Sequence, residues 1–169
     1  MVWNCGGYET VESIETLAGK VQIFMPDLKY YDCALSARLS RAPDYFDRAS
    51  RAILRMIELA GPPVFDPRGL LRSGVILRHL VLPGHREDSL RLLDWIASTL
   101  PRDGFLLSLM SQYTPYRKLP YPELNRRLSS FEYNKVIDHA LNLGLTRTYT
   151  QQRTAAKEEY TPPFDLTGV

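Results

Sequence analysis

The sequence predicts an α/β fold of parallel strands with helices on the outside, and three observations carry that prediction. Strand-like and helix-like segments alternate along most of the 169 residues. The strand segments 75–82 and 105–110 are close to continuously apolar, the pattern of strands buried on both faces. In the run from Val21 to Lys29, strand alternation places Val21, Ile23, Met25, Asp27 and Lys29 on one face. Apolar residues below and a carboxylate and an ammonium above describe a barrel strand that opens into a site at its C-terminal end.

Each element follows in order. Val2-Trp3-Asn4 reads as a strand stub, and a helix over 10–18 places Val11, Ile14, Leu17 and Ala18 on one face with Gly19 as its stop. Residues 21–26 form the second strand and 33–39 a short helix. Asp44 is expected to cap a longer helix whose buried stripe is Phe46, Ala49, Ile53, Met56, Ile57 and Ala60, ended by Gly61-Pro62-Pro63. Residues 64–74 read as a loop with Pro67 and Gly69 as breakers, and 75–82 as a strand turned by Pro83-Gly84. A helix starting at Asp88 or Ser89 carries Leu90, Leu93, Ile96, Ala97 and Leu100, before the strand 105–110 and a Pro- and Tyr-rich loop, 113–122. Ser129-x-x-Glu132 is a capping box for a helix with Tyr133, Val136, Ile137, Ala140 and Leu141 inward and Gly144 at its end. A last strand over 147–151 and an extended tail from Thr154 complete a single domain spanning 1–169.

Composition narrows the function. A net charge of +2, with no Lys/Arg stripe interleaved with aromatics, argues against a nucleic-acid partner. No apolar stretch reaches the roughly 20 residues of a membrane span. Two cysteines, Cys5 and Cys33, make no disulfide framework, so a reduced, cytoplasmic protein is expected.

Five short motifs occur in a fixed order: Asn4-Cys5-Gly6-Gly7-Tyr8-Glu9-Thr10, Met25-Pro26-Asp27-Leu28-Lys29-Tyr30, Arg78-His79-Leu80-Val81-Leu82-Pro83-Gly84, Leu109-Met110-Ser111-Gln112-Tyr113 and Pro163-Phe164-Asp165-Leu166-Thr167-Gly168-Val169. The series resembles the radical S-adenosylmethionine proteins related to the pyruvate formate-lyase activating enzyme, over essentially the whole chain. The resemblance implies a partial (β/α) barrel. It also implies a [4Fe-4S] cluster that cleaves S-adenosylmethionine to a 5′-deoxyadenosyl radical, and hydrogen abstraction from a substrate, often a glycyl residue of a partner enzyme. The CxxxCxxC loop that holds the cluster in that family is absent, and clusters need several convergent thiolates. The chain therefore reads as the C-terminal part of such a protein, with the first strands missing and no cluster or turnover expected alone. A missing N-terminal half, or a second copy along the open barrel edge, is the expected partner. The alternative is a non-catalytic remnant or binding module.

Asp27 and Lys29 can meet the ammonium and carboxylate of a zwitterion, and the resemblance assigns the matching pair to the cofactor region. The bland alternative is an exposed strand-end ion pair. Asn4, Gly6 and Gly7 follow the first strand, where glycines allow close backbone approach to a bound molecule or simply make a tight turn. Arg78, on the face of Ile76 and Leu80, needs an anionic partner, either a bound cofactor or Asp27. Gln112 and Tyr113 end the fourth apolar strand and can hydrogen-bond adenine, ribose or substrate, or anchor the loop. Tyr149 and Gln151 are weaker candidates. His79 is expected to face the helices as a satisfied core histidine, His85 and His139 to lie on the surface, and Cys5 to be an inert small thiol. No metal site and no catalytic residue is legible.

Overall fold

The computed structural model describes residues 1–150; the expected tail, Gln151 and the motif 163–169 lie outside the described residues. Strands β1 (Val2–Cys5), β2 (Ile23–Pro26), β4 (Leu71–Leu80), β5 (Leu106–Met110) and β6 (Thr148–Thr150) pair in parallel in that order, and the sheet does not close. The helices between them are α1 (Val11–Glu15), α2 (Cys33–Ser40), α3 (Tyr45–Ala60), α4 (Arg86–Thr99) and α5 (Ser130–Asn142). This is the α/β architecture that the alternating segments predict.

Burial shows which face the helices cover. Phe24, Val75, Leu77, Leu107 and Leu109 are buried and join one core with Ile53 and Met56 of α3, Leu92, Leu93 and Ile96 of α4, and Val136 of α5. Such burial is the main favourable contribution to folding, at about 25 cal/mol per Å² of apolar surface. The alternate residues Ile23 and Met25 of β2, Ile76, Arg78 and Leu80 of β4, and Ser108 and Met110 of β5 are only half-buried. They make an open face whose C-terminal edge carries the charged groups.

Several boundaries differ from expectation. Residues 64–74 are not a loop: β3 (Val64–Phe65) pairs antiparallel with the start of β4, which begins at Leu71. The tip is fixed by Asp66, whose carboxylate accepts from the Arg68 and Leu70 amides at 2.9 Å each. The first arm is too short to show alternation, so only the turn residues are legible. The first helix stops at Glu15 rather than Ala18, with Thr10 as its cap.

Asp44 occupies the N-cap position of α3 without capping it; its carboxylate accepts from the Tyr8 hydroxyl and the Arg48 guanidinium instead. α4 starts at Arg86, ahead of the expected Asp88 or Ser89, because both side chains are engaged elsewhere. Asp88 accepts from the amides of Tyr31 and Asp32 at 3.1 and 2.8 Å, and Ser89 meets His79. The capping box of α5 forms, and Glu132 also accepts from Gly84 N at 2.8 Å and from both terminal nitrogens of Arg126. The Arg126 guanidinium leads the partners that hold the Glu132 carboxyl well below the usual carboxylate range. His85 is not a surface residue: its side chain is 17% exposed and its Nε2 lies 3.3 Å from Glu123.

Candidate functional site

The chain passes from Asp27 to Lys29 where β2 leaves the sheet, and almost every backbone polar group there is held. Asp27 N donates to Cys5 O at 3.0 Å and Leu28 N to Arg78 O at 2.8 Å, the last rungs of the parallel ladders. His79 Nδ1 lies 2.7 Å from Leu28 O, and its Nε2 lies 2.8 Å from Ser89 Oγ. A carbonyl only accepts, so Nδ1 carries the proton and Nε2 accepts from the serine hydroxyl. Burial pushes the His79 imidazole below its usual pKa, so it stays neutral, as a satisfied core histidine.

On the open face, Arg78 Nη2 stands 2.7 Å from Asp27 Oδ1 and donates to Asn4 Oδ1 at 2.5 Å. Lys29 Nζ lies 3.7 Å from Asp27 Oδ2. The Arg78–Asp27 contact is close by distance, but its angles fall outside hydrogen-bond geometry. Asp27 Oδ1 and Arg78 Nε are consequently buried without a hydrogen-bond partner. Two cations face the Asp27 carboxylate, and a second carboxylate, Glu9, stands beside Cys5 with its Oε2 likewise buried without a hydrogen-bond partner.

These groups line a cavity of about 280 Å³ bounded by Asp27, Lys29, Tyr30, Arg78, Leu80, Leu82, Met110 and Gln112. The fold thus gathers Asp27, Lys29, Arg78 and Gln112 in one place, with Asn4 bonded to Arg78 from β1. Gly6 stands beside them: a Cβ built on it would lie 3.8 Å from Lys29 Nζ. Gly7 serves the chain itself. Its φ is +82°, and a Cβ there would sit 2.0 Å from Asp27 O, so the close approach is between the loop after β1 and the end of β2. Tyr113 is not brought to the cavity; its hydroxyl donates to Leu124 O at 2.9 Å and anchors the following loop.

Cys5 ends β1 half-buried, and burial pushes its thiol up to about 12, so it carries no thiolate at neutral pH. Cys33 opens α2 and is exposed. Among the described residues no group of three His, Cys, Asp or Glu side chains could hold a metal ion. No helix among them is long and apolar enough to cross a membrane. One contributor escapes the sequence reading. Tyr45, 3% exposed at the start of α3, donates from its hydroxyl toward Gly6 O and Asp27 O, both at 2.9 Å, and accepts from Lys29 N at 3.1 Å. Its spacing with Ala49, Ala52 and Met56 marks it as inward-facing, the one signal that would have found it.

No family model matches the sequence. The chain is 32% identical over 151 residues to an uncharacterized protein of Methanocaldococcus jannaschii, a match covering 88% of this chain but 40% of that protein. The chain thus spans well under half the length of the curated relative it matches. Among solved structures, a domain of pyruvate-formate lyase-activating enzyme from Bacteroides vulgatus superposes with a TM-score of 0.58 at 15% identity, covering 83% of this chain and 74% of that domain. At that identity the likeness is one of fold, and the fold shared is an open parallel sheet flanked by helices.

Proposed function

We propose that this chain is the C-terminal part of a radical S-adenosylmethionine protein related to the glycyl-radical activases, and that its charged cavity binds S-adenosylmethionine. The observation that carries the reading is the cavity itself. Asp27, Lys29 and Arg78 converge there with a buried carboxylate oxygen and a buried guanidinium nitrogen lacking hydrogen bonds. The residues fit the amino-acid end of that molecule: Lys29 toward its carboxylate, Asp27 toward its ammonium, Gln112 toward its ribose or adenine. The motif order and the fold likeness support the same reading. In an intact protein of this kind the bound molecule supplies a radical for hydrogen abstraction; this chain's residues orient it and hold its charges. A [4Fe-4S] cluster does not fit the thiols present, one half-buried and kept protonated, the other exposed on α2.

Calorimetric titration with S-adenosylmethionine tests the reading. Binding by the wild type is expected, with at least a tenfold loss in Lys29→Ala, the order of 1.4 kcal/mol or more. A wild-type chain that takes up no S-adenosylmethionine ends the proposal.

The partner reading has its own support. Among the described residues β1 pairs only with β2, and Met1, Val2 and Trp3 at its start are exposed at 69, 55 and 37%. An open parallel edge with apolar residues invites another strand, whether from an N-terminal half or a second copy of this chain. Light scattering of the isolated chain is expected to give a dimer or larger species, and a monodisperse monomer would rule out self-association. A glycyl-radical enzyme as the eventual target belongs to the same proposal.

A further inference from the structure

We propose that Tyr45 is the positioning residue of this cavity, the group that sets where Asp27 and Lys29 stand. The inference rests on the proposed S-adenosylmethionine site and adds a component that lies outside the cavity.

The argument begins where the sheet ends. The parallel ladder holds Asp27 through Cys5 O and Leu28 through Arg78 O, and it offers nothing to Asp27 O or Lys29 N. A single phenol hydroxyl stands in for the next rung. It accepts from Lys29 N at 3.1 Å, and its one proton is shared between Asp27 O and Gly6 O, both at 2.9 Å. One atom therefore joins the loop after β1 to the exit of β2, at the two places where the chain approaches the cavity.

The ring is fixed as well as the hydroxyl. Tyr8 stacks on it with centroids 5.9 Å apart and planes 14° from parallel, and Tyr30 meets it edge-on at 5.4 Å. Tyr45 sits in the first turn of a sixteen-residue helix whose body packs into the core, so the hydroxyl is carried by an element anchored through Ala49, Ile53 and Met56. Gly7 allows the loop to come close enough for the shared bond. A group of this kind holds two charged side chains in the geometry of a bound zwitterion before it arrives, which lowers the ordering needed on binding.

The test is a double-mutant cycle read by S-adenosylmethionine titration on wild type, Tyr45→Phe, Lys29→Ala and the double variant, with Ile53→Val as a core control. Tyr45→Phe keeps the ring and removes the hydroxyl. Expected is at least a tenfold weaker affinity for Tyr45→Phe, wild-type affinity for Ile53→Val, and a double variant whose loss falls clearly short of the product of the two single losses, because Tyr45 acts in part through Lys29. Losses that multiply in the double variant, or a Tyr45→Phe chain that binds as the wild type does, overturn the inference.

Amide hydrogen exchange on the same proteins separates this inference from the proposed function. If the wild type binds no S-adenosylmethionine, the proposed function fails and exchange alone decides. Faster exchange in Tyr45→Phe confined to the Lys29 amide and the loop after β1 sustains the clamp; acceleration spread equally over Leu77 and Leu109 overturns it.

Discussion

Replacing Gly7 by alanine is expected to destabilise the protein by about 3 kcal/mol or more, whereas Gly6→Ala is expected to change stability little. The two neighbours differ because only Gly7 has a positive φ, +82°, and only there would a Cβ meet backbone, at 2.0 Å from Asp27 O. The left-handed conformation alone costs an L-residue roughly 1–2 kcal/mol. The clash adds to it, since Asp27 O is held by the Tyr45 hydroxyl and cannot retreat without breaking that bond. At Gly6 the nearest obstacle is the end of a flexible lysine, 3.8 Å away. Urea denaturation of the two variants is the measurement, and equal midpoints would contradict the account.

The second large effect is expected at His79. His79→Leu strands the Leu28 carbonyl and the Ser89 hydroxyl in the core, at about 1–3 kcal/mol each, so a loss of about 2–6 kcal/mol is expected. The same residue gives the protein a pH dependence of known sign. The unfolded chain's imidazole takes a proton near its ordinary value of 6.5, while burial keeps the folded one neutral to lower pH. The unfolded state therefore binds more protons below that value, and protons favour unfolding there. Stability is full above about pH 6.5 and falls as the pH drops toward the folded-state value, by at most about 1.4 kcal/mol per pH unit. His79→Gln, which keeps a donor but does not titrate, is expected to be flat between pH 6.5 and 5. A wild-type chain equally stable at both ends of that window would remove the argument.

How far the sequence reaches depends on whether a feature is local. Period-two alternation puts Asp27 at the end of its strand on the open face, and the bridge between Asp27 and Arg78 supplies one of the two partners that the sequence leaves open for Arg78. Apolar periodicity likewise gives α3 and α5, and the capping box fixes the start of the latter at Ser129. The hairpin of β3 and β4 is lost because two residues cannot show a period. The early start of α4 is lost because Asp88 and Ser89 look like caps and are instead claimed by residues 56 and 57 positions away for Asp88 and 10 for Ser89.

The candidate site divides along the same line. Asp27, Lys29, Arg78 and Gln112 come together because strand ends in a parallel sheet converge. The approach of Tyr45 to Gly6 spans 39 positions and leaves only an inward-facing phenol on a helix as its trace. Tyr113 shows the converse: next to Gln112 in sequence, it is turned away by its bond to Leu124 O.

The fastenings along Asp27-Leu28-Lys29 come from the Cys5 carbonyl, the Arg78 carbonyl, the His79 imidazole and the Tyr45 phenol. None of them involves the side chains at 27 or 29. What the cavity recognises is thereby uncoupled from what shapes it, so lineages, or protein engineers, are free to exchange Lys29, or Asp27 together with its partner Arg78, while the scaffold underneath keeps its form.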